Sequence, residues 1–253
     1  MTADLFHAGL GWPIALTLIG LSFVGSFITV AFGIGGGAFM LVFFATLLPA
    51  PAIIPVHGLV QLGSNVGRAA LTFRHLRRDV VTVFAIGALI GVALGGLFVV
   101  QLEPAYIQIG VGLFILWSIA MRPPAFLKRS AGLTGAISSF LTMFFGATGP
   151  FVATFVKSLS LDRMAHTATH ASLMTIQHAL KTLTFGFLGF AFSIWAGFVV
   201  LLMMSGLLGT IVGRRVLMRI DEKRFRFMLN LVLTLLALRL VYAGGMALAA
   251  GAN

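Results

Sequence analysis

Long apolar runs separated by short polar breaks decide most of what this chain can become. They fall at 11–32, 38–48, 52–73, 80–101, 105–120, 131–145, 150–160, 165–190, 192–213 and 227–249. Most approach the ~20 residues that a helix needs to cross the hydrocarbon of a bilayer. Charged residues make up only 9% of the chain, against about 25% in soluble domains. A backbone surrounded by lipid must satisfy its own polar groups, so the runs are predicted to be helices. The alternating ~10-residue segments of a membrane barrel are missing from the pattern. The expected fold class is an all-α polytopic membrane protein, with seven or eight spans by hydropathy.

Two runs, 38–48 and 150–160, are too short to span at a rise of ~1.5 Å per residue. Each follows a glycine-containing break, Gly33 to Gly37 and Gly146 to Pro150, and reads as a half-helix that returns toward the side it came from. A shift of 113 residues (146 − 33) lays Gly33 on Gly146, Gly36 on Gly149, His57 on His170 and Arg68 on Lys181 without a gap. The short segment, a long polar-faced helix and a small-residue helix recur in the same order, the mark of an internal repeat. The expected organisation is one repeat over 1–121, a cytoplasmic linker over 122–130 and a second repeat over 131–253.

Basic residues predict orientation. Fourteen of the 17 Lys and Arg lie after the 52–73 run, in the linker, around the second short segment, or between the last two helices. Placing all of them in the cytoplasm follows the known bias of membrane proteins. It leaves the outer loops 49–51, 102–104 and 189–193 without a basic residue. Both termini are then outside, and the repeats enter from opposite sides, as in many secondary transporters. The net charge of +11 is explained by these loops, so membrane lipid is an expected partner and nucleic acid is not. Asp4 is the only early charge, so the N-terminus does not read as a secretory signal. Zero cysteines exclude disulfides and thiolate sites.

Both half-helices begin just after their glycines, and their N-termini are expected to face each other near the midplane. A helix N-terminus presents unpaired N–H groups and about half a positive charge, which suits an anion. Gly35, Gly36, Gly37, Thr148 and Gly149 are the candidates there, although such glycines also serve close helix packing. The 52–73 helix aligns His57, Gln61, Ser64, Asn65 and Arg68 on one face, and the 165–190 helix aligns His166, His170, Gln177, His178 and Lys181. Polar side chains at this depth normally face a bundle interior or a watery path. All six acids (Asp4, Asp79, Glu103, Asp162, Asp221 and Glu222) lie at termini or helix ends, so none neutralises Arg68 or Lys181 in the bilayer. A small anion would offset the cost of those buried cations.

The candidate substrate-binding residues are therefore Gly35, Gly36, Gly37, Gln61, Asn65, Arg68, Thr148, Gly149, Gln177, His178 and Lys181. His57, His170 and His178 are the candidates for proton coupling, because only histidine titrates near neutrality. No cofactor, metal site or catalytic residue is expected. An intramembrane hydrolase is disfavoured because no G-x-S-x-G or H-E-x-x-H pattern is present. Gly87, Gly91 and Gly95, and again Ser205, Gly209 and Gly213, form small-residue ridges suited to close helix contact.

The glycine-rich break at Gly33 to Gly37, the Pro55-to-Arg68 segment, the Arg74-to-Asp79 loop and the G-x-x-G-P variant at Gly146 to Pro150 together resemble the sulfite exporter TauE/SafE family. The resemblance covers nearly the whole chain. It implies a bacterial or archaeal inner-membrane protein that exports sulfite or an organosulfonate. The alternatives are an anion channel or uniporter for another oxyanion or carboxylate, and a non-transporting scaffold. A homodimer is compatible with the sequence.

Overall fold

A computed structural model describes residues 4–32, 35–99, 103–122, 124–216 and 222–251. Gly33 and Ile34 of the first break, Leu102 of an outer loop, Pro123 of the linker, and Arg219 and Asp221 lie outside the described residues. So do the side chains of Arg163, Arg214, Arg215, Arg224 and Arg226.

Among the described residues the regular elements are all helices: α1 (Asp4–His7), α2 (Trp12–Phe32), α3 (Gly36–Leu47), α4 (Ala50–Thr72), α5 (Arg78–Val99), α6 (Pro104–Ala120), α7 (Ala131–Phe145), α8 (Gly149–Ser158), α9 (Arg163–Phe187), α10 (Phe192–Val216) and α11 (Glu222–Gly251), with two short 3₁₀ turns. Each apolar run became a helix, and the two short ones are α3, with 12 residues, and α8, with 10. The short N-terminal α1 has no counterpart in the apolar runs.

The breaks have a local cause. Gly35 precedes α3 with φ +106°, and Gly146 ends α7 with φ +73°. Side-chain-bearing residues rarely adopt such angles, so glycine suits the entry to α3 and the end of α7. Ser130 caps α7 by accepting from the Leu133 N–H, and Asp162 caps α9 by accepting from Met164 and Ala165. Asp79 stands in the first turn of α5 and Glu103 just before α6, where a negative charge meets the positive end of the helix dipole.

Among the described residues, four helices are long and apolar enough to cross a membrane: α2, α5, α10 and α11. α6 and α7 are apolar but shorter, with 17 and 15 residues. α4 and α9 have the length, with 23 and 25 residues, but carry the polar stripes. That combination is why length and composition single out four helices rather than the expected seven or eight.

The chain folds into two compact units that cut across its linear order. The first comprises Met1–His57, Leu102–Met121 and Ala191–Asn253, and the second comprises Gly58–Gln101 and Arg122–Phe190. In the first, α2 packs on α10 and α3, and α6 packs on α11. In the second, α5 packs on α7 and α9, and α8 packs on α7 and α9. Val80, Phe84, Val152, Phe155, Val156 and Leu173 form the apolar core of this second unit.

Both predicted ridges are contact surfaces. In the second unit, a Cβ added to Gly87 or Gly91 would run into the carbonyl of Gly132 or Ala136, and at Gly95 it would meet Met143 Cγ at 2.7 Å and the Phe140 carbonyl at 3.2 Å. In the first unit, Ser205 Oγ donates to the Ile19 carbonyl at 2.6 Å. A Cβ on Gly209 would strike the Phe23 carbonyl, and one on Gly213 would reach Phe27 Cα at 3.3 Å. The partner positions 19, 23 and 27 lie 113 residues before 132, 136 and 140. The starts of α3 and α8 (149 − 36) and of α4 and α9 (163 − 50) are separated by the same 113.

Candidate anion site

The expected residues divide between the units. Gly35, Gly36, Gly37 and His57 belong to the first, and Gln61, Asn65, Arg68, Thr148, Gly149, His170, Gln177, His178 and Lys181 belong to the second.

In the first unit the start of α3 is pressed against α2. A Cβ on Gly36 would overlap the Gly25 carbonyl and Thr29 Oγ1, so only glycine fits. His57 from α4 reaches the same turn, with Nε2 3.0 Å from the Gly37 carbonyl. The packing role of these glycines is therefore real alongside any binding role.

In the second unit a polar cluster gathers around the start of α8. Thr148, immediately before α8, is fully buried, as are Gln177 and Lys181 on α9. Gln177 Nε2 donates to Thr148 Oγ1 at 2.5 Å, and Ser138 Oγ on α7 donates to Gln177 Oε1 at 3.2 Å. Lys181 Nζ approaches Thr142 Oγ1 at 3.5 Å, and Thr142 Oγ1 itself donates to the Gly146 carbonyl at 3.0 Å. The lysine side chain lies along Gly58, where a Cβ would come within 2.6 Å of its Cε. The hydroxyl Oγ of Ser139, also fully buried, has no hydrogen-bond partner among the described residues.

The sequence reading did not single out Ser138, Ser139 and Thr142. Their signal was present: hydroxyls at i, i+1 and i+4 share one side of an otherwise apolar helix. In so apolar a helix three hydroxyls make a weaker pattern than the two longer stripes.

A second group lies on α4 and the first half of α9. Arg68 Nη2 donates to Asn65 Oδ1 at 2.9 Å, and Asn65 Nδ2 donates to the Gln61 carbonyl at 2.8 Å. Arg68 Nε is buried without a partner among the described residues. His166 and His170 stack with centroids 6.4 Å apart and rings within 4° of parallel. The third cation within a helix, Arg239, is exposed on α11.

The charged groups outside these helices behave as a solvated rim. Arg74, Arg77, Arg78, Arg122, Lys128, Arg129 and Lys157 are exposed. Arg77 pairs with Asp79 at 2.7 Å with both side chains largely open, a contact of small energetic weight. Asp162 is held below the usual carboxylate range by the N–H of Ala165 and then of Met164.

Chemically, the second unit holds hydroxyls and an amide around the start of α8 with Lys181, and Arg68 with Asn65 in the second group, with no carboxylate in either. It is suited to hold a negative charge and unsuited to hold a cation. Four helices long and apolar enough to cross a membrane, beside several shorter apolar ones, fit a multi-pass membrane protein. The chain belongs to the sulfite exporter TauE/SafE family, whose model matches residues 18–240. The family is one of membrane transporters. No curated protein and no solved structure matches the chain.

Proposed function

We propose that this protein is a secondary transporter that exports a small anion, sulfite or an organosulfonate, by alternating access between two inverted repeats. The observation that carries the reading is Lys181, which is fully buried with its Nζ 3.5 Å from the Thr142 hydroxyl. Burying a lone cation costs several kcal/mol, of the order of 3–5. A substrate that supplies the missing negative charge offsets that cost each time it binds. Thr148, Gly149, Gln177 and His178, with Gln61, Asn65 and Arg68, are the proposed donors of the second unit. In the first unit Gly35, Gly36 and Gly37 offer N–H groups at the start of α3.

The recurrence at a spacing of 113 of the half-helix, the long helix and the positions on α2 and α7 that the ridges contact supports the repeat. The absence of basic residues from loops 49–51, 102–104 and 189–193 supports an inverted insertion with both termini outside a bacterial or archaeal inner membrane. Reconstitution into proteoliposomes tests the function. Sulfite loaded on one side should drive uphill counterflow of radiolabelled sulfite from the other. Flux without counterflow would indicate a channel, and no flux of any small anion would end the transport reading.

A further inference from the structure

We infer that His57 and His170 are positioning residues, each fastening the first turn of a half-helix to its neighbouring long helix, and that neither needs to titrate during transport. The inference rests on the anion-transport reading above and assigns the two histidines a different task from proton coupling.

His57, on the first turns of α4, is 1% exposed. Its Nε2 lies 3.0 Å from the Gly37 carbonyl, in the first turn of α3. A carbonyl oxygen can only accept, so Nε2 carries the hydrogen and the ring is fixed in orientation. Phe44, two turns further along α3, presents its ring edge-on to the imidazole at 6.3 Å and 83°. The histidine is therefore held by α3 at two heights, once through its polar edge and once through its ring.

The second unit repeats the arrangement. His170, 113 residues later, faces the backbone of Gly149, the first residue of α8. Its Nε2 is buried without a partner among the described residues, which leaves Nδ1 as the nitrogen that serves this backbone. The two units thus reach the same end with different ring nitrogens.

These contacts do not repair a deficiency of the half-helices. A helix lacks partners for its first N–H groups and its last carbonyls, not for its first carbonyls. A histidine donating to a first-turn carbonyl therefore adds an anchor that helix formation does not demand. What the anchor sets is where the unpaired N–H groups of that turn stand and which way they point. Those are the groups through which a helix N-terminus attracts an anion. A displacement of even 1 Å in such a donor weakens its effect on a bound group strongly.

Substitution separates the anchor from the titration. Glutamine places an N–H donor close to that of a histidine Nε2, and asparagine does so for Nδ1, yet neither amide titrates. Sulfite counterflow should show His57→Gln and His170→Asn with KM within about twofold of wild type. His57→Leu and His170→Leu should raise KM about tenfold or more, the equivalent of one lost hydrogen bond of ~1.4 kcal/mol, with kcat less affected. Leucine variants that transport like wild type overturn the inference. So do amide variants as impaired as the leucine ones, because the imidazole proton would then be required. Where a leucine variant does not fold, the amide variant alone decides between retained and lost transport. A wild-type protein that moves no sulfite removes the transport reading and this inference together, whereas normal wild-type flux with the wrong variant pattern removes only the anchor.

Discussion

In the first unit α10 closes on α2 through Ser205, Gly209 and Gly213, and in the second α5 closes on α7 through Gly87, Gly91 and Gly95. Each unit also keeps a short helix after a positive-φ glycine and a histidine facing that helix's first turn. What they bury differs sharply. Of the twelve buried polar side chains among the described residues, Ser22 and His57 belong to the first unit and the other ten to the second. Ser22 simply donates to the Leu202 carbonyl at 2.8 Å and closes a local account. Gln177, Thr148 and Ser138 form one hydrogen-bonded group, and Lys181, against Thr142, adds a buried basic side chain to the same unit. One packing plan thus accommodates either an apolar scaffold or a charged cluster. The chemistry lies in side chains at a few positions, not in the helix arrangement itself.

The contrast can be broken most directly at the cation. Lys181→Met keeps the length and apolar stem of the side chain and removes its charge. Sulfite flux in proteoliposomes should fall about 100-fold or more, as expected when one partner of a buried charge contact is lost. Ser22→Ala in the first unit should leave flux within about twofold and cost about 1 kcal/mol of stability. Equal losses in both variants would dissolve the distinction between the units.

Where the units are alike, substitutions should act alike. Gly91→Val and Gly209→Val each put a branched side chain into a backbone carbonyl of the facing helix. Each should destabilise by about 1–3 kcal/mol, the range for overpacking a filled contact, measured by thermal unfolding in detergent. A large loss in one unit and none in the other would show that the ridges are not equivalent.

The smallest effect concerns the start of α9. Asp162→Ala removes the acceptor that serves the Ala165 and Met164 N–H groups. The Asp162 carboxyl is depressed in the fold, so its contribution is present above the unfolded value near ~3.9 and is lost as pH falls through the folded value. The melting temperature of the variant should lie slightly below wild type at neutral pH, and the gap should narrow in acid. A gap that widens on acidification contradicts the capping account.

Much of this was legible from sequence because lipid leaves a chain few options. Glycine clusters and apolar lengths located α3 and α8 to within a few residues, since a break needs φ values that only glycine takes freely. The stripe on α9 picked out Gln177 and Lys181, because helical spacing puts them on one side. The grouping of helices into units was not legible. Periodicity reports which side of a helix is apolar, not which other helix covers it. It gave no sign that α5 joins α7 while α2 joins α10. The hydroxyls of α7 escaped for a related reason: a serine or threonine in an apolar helix can satisfy itself on its own backbone. Thr29 and Thr46 do so, at 3.0 and 2.9 Å, whereas Ser138 bonds to Gln177. Only the fold separates the two cases.

The central claim is that an anion neutralises Lys181. Thermal unfolding of purified wild-type protein and Lys181→Met across a sulfite titration tests it most directly. A ligand that binds the folded state stabilises it by about 2.7 kcal/mol at 100 times its Kd. The wild-type melting temperature should therefore climb with sulfite while that of Lys181→Met stays flat. Equal stabilisation of both proteins would place the anion elsewhere and contradict the account.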